Sequence, residues 1–129
     1  MNKTILVTAV ILGIVSIILG AFAAHGLKKL ISPEAINTFE TGVKYQMYHA
    51  LFLLFVGSSS YVTDSYKKTI FYLVILGLIF FSGSIYALAT NALSSFDFKK
   101  IGFITPIGGL LLIVSWVVLL INFMKLKVN

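Results

Sequence analysis

Residues 4–24 read TILVTAVILGIVSIILGAFAA, a stretch with no charged side chain in it. A helix needs about 20 residues to cross about 30 Å of hydrocarbon. In lipid the backbone must satisfy its own hydrogen bonds, so helix is the conformation such a run takes. Lys3 in front of it and Ala21-Phe22-Ala23 near its end also resemble a secretory leader with a small-residue cleavage site. The apolar part is long for a leader's core, and the run reads as a retained membrane helix.

Three more apolar runs follow, at about 45–62, 69–90 and 101–123. Between the first two lies the one substantial polar segment, 25–44. Within it Ser32-Pro33-Glu34 is a helix start, with an N-cap, a proline at the first helical position and an acid in the first turn. No breaker except Gly42 follows, so one long helix is expected over 33–62, its first turns amphipathic and at the membrane surface. A bend at Gly42 into a separate interfacial helix is the alternative. The connections 63–68 and 91–100 are short, which makes successive helices antiparallel neighbours. The expected fold is all-α: an integral membrane four-transmembrane-helix bundle, with helices at about 4–24, 33–62, 69–90 and 101–123. An amphipathic segment precedes helix two, and a single domain covers 1–129.

Composition points the same way. Of 129 residues 59% are hydrophobic and 11% charged, against about 45–50% and 25% in soluble domains. So short a chain cannot hide that much apolar surface from water. The net charge of +6 comes from ten lysines set against Glu34, Glu40, Asp64 and Asp97. The lysines sit in pairs beside the apolar runs, at 28–29, 67–68, 99–100 and 125/127, where basic side chains anchor helix ends among headgroups. No basic stripe with interleaved aromatics supports nucleic-acid binding. There is no cysteine, which removes disulfides, thiol catalysis and thiolate metal sites.

The lysines divide five and five between the two membrane sides, so the positive-inside rule sets no orientation. The histidines and three of the four acids fall opposite the termini, which favours termini in the cytoplasm; a dual-topology protein would show the same tie.

Membrane helices associate through close packing and polar contacts, so small residues mark their contact faces. Helix one carries Ala9, Gly13, Ser16, Gly20 and Ala24 along one face and is expected at the centre of the bundle. Gly77 and Ser84, with Asn91, and Gly108 and Ser115, with Asn122, repeat at heptad spacing on helices three and four. Plain packing accounts for such stripes; lining a cavity or an oligomer seam is the functional reading.

The polar constellation lies on the segment leading into helix two. Thr38, Gly42, Tyr45 and His49 share a narrow arc with Gln46 at its edge, and Glu40 and Lys44 are spaced as an i,i+4 pair. The arc places His49 below the membrane surface, near the end of the helix-one stripe. His25, Asn91 and Thr105 fall on the same side. Ionisable groups at membrane depth are costly and usually functional. The candidate polar pocket is therefore His25, Glu40, Tyr45, Gln46, His49, Asn91 and Thr105; a histidine that merely locks helices together is the competing reading for His49. His25, His49 and Glu40 match no compact metal motif, and haem or metal on His25 and His49 is a minor alternative. Pro106, in Thr105-Pro-Ile-Gly-Gly109, implies a kink, a late helix start or a broken helix offering carbonyls to a ligand. Trp116 is central in helix four, filling the core or facing a partner. No nucleophile elbow, phosphate loop, dinucleotide fingerprint or carboxylate pair argues for an enzyme.

Four blocks in order carry a resemblance that spans nearly the whole chain: AFAAHGL at 21–27, FETGVKYQMYHA at 39–50, FSGSIYAL at 81–88 and ITPIGG at 104–109. They resemble the YgdD- and YwdK-like family of small bacterial membrane proteins, catalogued as domain of unknown function 423. The family often has glycine where this chain has Ala23 and Ser115, small-for-small changes. The resemblance implies four membrane helices, multi-pass, in the bacterial cytoplasmic (inner) membrane, and brings no catalytic residue with it. The expected activity is non-enzymatic binding or transport of a small molecule through the polar pocket. The alternatives are an accessory subunit of a larger membrane complex, and a haem- or metal-binding redox protein. A homo-oligomer in the lipid bilayer is expected.

Overall fold

In the computed structural model, which describes residues 1–127, the chain forms four long antiparallel helices, with no strand among the described residues. Helix α1 is Asn2–Ala24 and α2 is Pro33–Ser58. Helices α3, Asp64–Leu78, and α4, Ser84–Ala89, join through a π-helical turn, Ile79–Gly83, into one rod; α5 is Ile104–Met124. Three of the four, α1, the α3–α4 rod and α5, are long and apolar enough to cross a membrane.

The boundaries follow local chemistry. Ser32 caps α2, its Oγ accepting from the Ala35 N–H at 3.2 Å, with Pro33 at the first helical position. The helix runs unbroken through Gly42 and stops at Ser58, not at 62, because three consecutive serines follow Gly57 and Ser59 is extended. α3 starts at Asp64 rather than 69, with Lys67 of its polar first turn buried inside the fold. α5 starts at Ile104 rather than 101. A separate 3-10 turn, Phe98–Ile101, precedes it, capped by Asp97, whose Oδ1 accepts from the Lys99 N–H at 3.1 Å. Pro106 is therefore the third residue of α5, where a helix has no use for the missing N–H, and it marks a late start rather than a kink.

α2 is the centre of the packing, not α1. Antiparallel to α1, it sets Gly57 against Ile5, Ala50 against Gly13 and Val43 against Gly20. Its other faces meet α3, the π turn and α4, and its aromatic side chains reach α5. α1 buries only Ile5, Ala9, Ser16 and Ala23 and exposes a ridge that includes Val7, Val10, Ile14 and Ile17. A helix with apolar residues all round can face lipid, whereas α2's polar side chains need protein partners. The main core joins Ile5, Ala9, Leu53, Val56, Ile70, Val74 and Leu112; a smaller one, with Ala23, Leu27, Phe39 and Ala89, closes the end near the α1–α2 loop.

α5 meets the α3–α4 rod backbone to backbone. A Cβ on Gly108 would strike the Phe81 nitrogen and lie 2.6 Å from the Phe80 carbonyl carbon, so only glycine allows this crossing at the π turn. Gly77 meets Leu112 across the same contact. Ser84, also expected at a packing face, bonds the Phe80 carbonyl at 2.5 Å, a group loosened by the π turn. Of the other packing residues expected from sequence, Gly13 and Gly20 do face α2, with ordinary rather than close contacts, and Ser16 is buried with its Oγ on the Leu12 carbonyl of its own helix.

Lys67 and Asn122 tie the ends on the side of the termini. Lys67, 4% exposed, donates from Nζ to Asn2 Oδ1 (3.2 Å) and to the Gly57 carbonyl (3.3 Å) in the last turn of α2. It is thus a clasp of three helices rather than a headgroup anchor. Asn122 donates to the Tyr61 carbonyl (2.8 Å) and accepts from the Thr63 N–H (3.2 Å), which holds the α2–α3 loop onto α5.

Candidate functional site

α2 presents Tyr45, Gln46 and His49 to two different neighbours. Gln46, buried, points towards α1 and α4: its Nε2 donates to the Leu12 carbonyl (3.0 Å) and its Oε1 accepts from the Tyr86 hydroxyl (2.7 Å). One turn earlier the Gly42 carbonyl accepts from Ser82 Oγ at 2.8 Å. A small crevice of about 180 Å³ lies here, between Leu12, Gln46, Ser82 and Tyr86.

His49, one turn further along, is directed towards α5. Its Nδ1 lies 2.7 Å from the Tyr45 carbonyl, and its Nε2 accepts from Trp116 Nε1 at 3.1 Å. Trp116 can only donate, so Nε2 carries no proton and Nδ1–H donates to Tyr45: the imidazole is neutral, in one tautomer. Phe52 stacks on Trp116 with centroids 4.0 Å apart. Beside this pair a groove of about 280 Å³ opens between α2, the π turn and α5, walled by Tyr45, His49, Phe81, Gly109, Ile113 and Trp116. Gly109 leaves the floor flat, with Phe81 Cδ1 3.4 Å from where a Cβ would stand.

The residues expected to form one pocket are thus divided. Tyr45 and His49 line the groove, whereas Gln46, one helical turn from His49 on the edge of the same arc, lines the separate crevice towards α1 and α4. His49 is level with Gly13, the middle residue of α1, and so lies deeper than the sequence placed it; Gly13 packs on Ala50. His25 follows α1 directly and is exposed beside Lys28 and Lys29. Gly13 and His25 are twelve residue steps apart, roughly 18 Å at 1.5 Å per residue, so the structure does not bring His25 and His49 together. No group of three His, Cys, Asp or Glu side chains gathers among the described residues. Glu40 is half-buried in a crevice with Lys28 and Asn37. Asn91 belongs to a loop clamp, accepting from the Phe98 N–H (2.8 Å) and donating to Asp97 (3.3 Å). Thr105 shares a hydrogen bond with Ser84 at 2.5 Å.

Trp116, Tyr86 and Ser82 are the partners that sequence reasoning did not assign. Each meets α2 from a different helix, and no spacing within one helix signals a contact between helices.

The chain matches the family described as "Protein of unknown function (DUF423)" over residues 19–109. It is similar to a UPF0382 membrane protein of Staphylococcus saprophyticus, 42% identical over 83% of this chain and 85% of that one. It is also similar to UPF0382 membrane protein YwdK of Bacillus subtilis, 34% identical over 95% and 98%, and to UPF0382 inner membrane protein YgdD of Escherichia coli, 32% identical over 98% and 93%. No solved structure matches it. With a family match across most of its length and relatives aligned nearly end to end, this chain belongs to the DUF423 (UPF0382) family of membrane proteins.

Proposed function

We propose that the protein is a four-span, multi-pass protein of the bacterial inner membrane that binds a lipid-soluble small molecule, without catalysis, in the Tyr45–His49–Trp116 groove. Crossing by α2 is supported by its register: it lies along α1 from Gly57–Ile5 to Val43–Gly20, and a helix aligned with an apolar span covers the same thickness. Its 26 residues extend roughly 39 Å, and its charges, Glu34, Glu40 and Lys44, all fall in the first half. Lys44 is exposed, free to carry its ammonium to the interface.

The groove itself is the observation that carries the binding reading. It is a concavity of about 280 Å³ with aromatic walls and one imidazole edge, at the depth of the middle of α1. Ligand sites are mostly apolar, with a few placed polar groups; both His49 nitrogens are engaged within the chain, so the ring offers its edge as contact surface and not as a hydrogen-bonding group. An entrance from the side suits a molecule dissolved in the bilayer.

A structural or accessory subunit, or a homo-oligomer held through the exposed ridge of α1, is the second reading. It is favoured by the fact that, among the described residues, no buried side-chain polar atom lacks a hydrogen-bond partner. The inner polar groups then act as locks between helices.

Native mass spectrometry on gently extracted protein separates the two, read together with the emission of Trp116, the sole tryptophan. The binding reading expects a reproducible small mass on the wild type that is absent from Gly109→Leu, which fills the groove, and a Trp116 emission shift when that mass is stripped. A protein free of any small mass, recovered only with a second protein or as a bare oligomer, overturns it.

A further inference from the structure

We propose a second site, at the opposite level of the molecule from the clasp of Lys67: a crevice that takes the headgroup of a zwitterionic phospholipid bearing a primary amine. Lys28 would meet the phosphate, and Glu40 with Asn37 the ammonium. The inference rests on α1 crossing the bilayer and not on any occupant of the Trp116 groove.

The crevice, of about 390 Å³, lies between the α1–α2 loop and the first turns of α2, with Lys28, Asn37 and Glu40 in its walls and Ala23, Pro33 and Ile36 supplying the apolar part. Ala23 belongs to the last turn of α1, which sets the crevice at the end of a membrane-length helix, where headgroups are. Leu27, 1% exposed, pins the 3-10 turn Leu27–Lys29, so that Lys28 stands at the lip. Asn37 and Glu40 are three residues apart and share one face of α2.

Its charges are what single it out. A cation and an anion line one crevice, and no ion pair within 4.0 Å joins Lys28 to Glu40. Opposite charges held apart in one cleft match a ligand with the same separation built in, a phosphate linked to an ammonium. A carboxylate and an amide oxygen accept N–H donors. A primary ammonium supplies three such donors; a quaternary ammonium has none, and an uncharged glycerol headgroup brings no cation to Glu40. The apolar wall and the adjoining surface of α1 then accept the glycerol backbone and acyl chains. Lys29 and His25 line a neighbouring depression that shares Lys28 and Ala24 with this crevice, but they do not line the crevice itself.

The test is native mass spectrometry of the protein released from nanodiscs holding equal amounts of phosphatidylethanolamine, phosphatidylcholine and phosphatidylglycerol. Phosphatidylethanolamine should be retained over the other two. Glu40→Gln and Lys28→Gln should each lower that retention about tenfold, the scale of one charge-assisted hydrogen bond. Lys29→Gln and Gly109→Leu should leave it unchanged, the latter because the Trp116 groove is a separate site. Equal retention of the three lipids, a preference for phosphatidylglycerol, or indifference to Glu40→Gln overturns the site. Soluble phosphoethanolamine is added to lipid-stripped protein as a further arm. If it binds while no lipid is selectively retained, the lipid assignment is overturned in favour of a soluble phosphoamine. The comparison of the three lipids on the wild type stands even where a variant fails to fold.

Discussion

Trp116 Nε1 donates to His49 Nε2 at 3.1 Å, and this bond between α5 and α2 settles the protonation of the one histidine inside the protein. With Nε2 accepting and Nδ1–H bonded to the Tyr45 carbonyl, both ring nitrogens are used by the chain itself. Trp116→Phe keeps a ring over Phe52 but leaves Nε2 without its donor. Unfolding in detergent should show a loss of about 1–3 kcal/mol, the cost of an unsatisfied buried acceptor. A wild-type midpoint in Trp116→Phe would show that the bond contributes nothing.

The two adjacent glycines of α5 should behave differently. Gly108→Ala drives a methyl into the backbone of Phe80 and Phe81 and should cost about 1–3 kcal/mol, as overpacking does. Gly109→Ala meets only the edge of the Phe81 ring and should be near neutral, as should Gly13→Ala on α1. Thermal unfolding of the three variants side by side is the measurement. Helix propensity alone favours alanine at both positions, so equal losses at 108 and 109 would mean that the close approach at Gly108 does not set the requirement.

Neighbouring lysines should also separate. Lys67→Ala leaves the Gly57 carbonyl and Asn2 Oδ1 unpaired and should destabilise by about 1–3 kcal/mol. Lys68→Ala, on the exposed side of the same turn, should stay within about 0.5 kcal/mol of wild type. Similar stability of the two variants would return Lys67 to the role of a surface anchor.

The Gln46–Tyr86 bond at 2.7 Å invites a double-mutant cycle with Gln46→Leu and Tyr86→Phe. Hydrogen bonds between membrane helices average about 0.6 kcal/mol and reach about 1.7. A coupling energy in that interval is expected because both groups are held from several sides, and strict additivity of the two losses would show the bond to be energetically silent.

How much of this was legible in the sequence depends on the range of the signal. The apolar runs, the Ser32-Pro33 start of α2 and the short loops are local, and each is where it was read to within a few residues. The small-residue positions were legible as contact faces, but not which were close: Gly108 touches backbone, while Gly13 has room. The polar set was read as one pocket because its members share a membrane side. The helices turn Gln46 and His49 to different neighbours, and loops take up His25 and Asn91.

By itself, the sequence determined that this chain belongs in a membrane, as helices, because hydrocarbon tolerates no unpaired backbone and 59% of its residues are apolar. Only the tertiary structure decided that the most polar helix, α2, is the central one, and that Lys67 is a clasp. Lipid offers no hydrogen bonds, so each polar side chain is positioned by the helix that can answer it, and that helix is distant in sequence. Leu12, Tyr86, Trp116 and Gly57 answer Gln46, His49 and Lys67 across separations that no periodicity within one helix records.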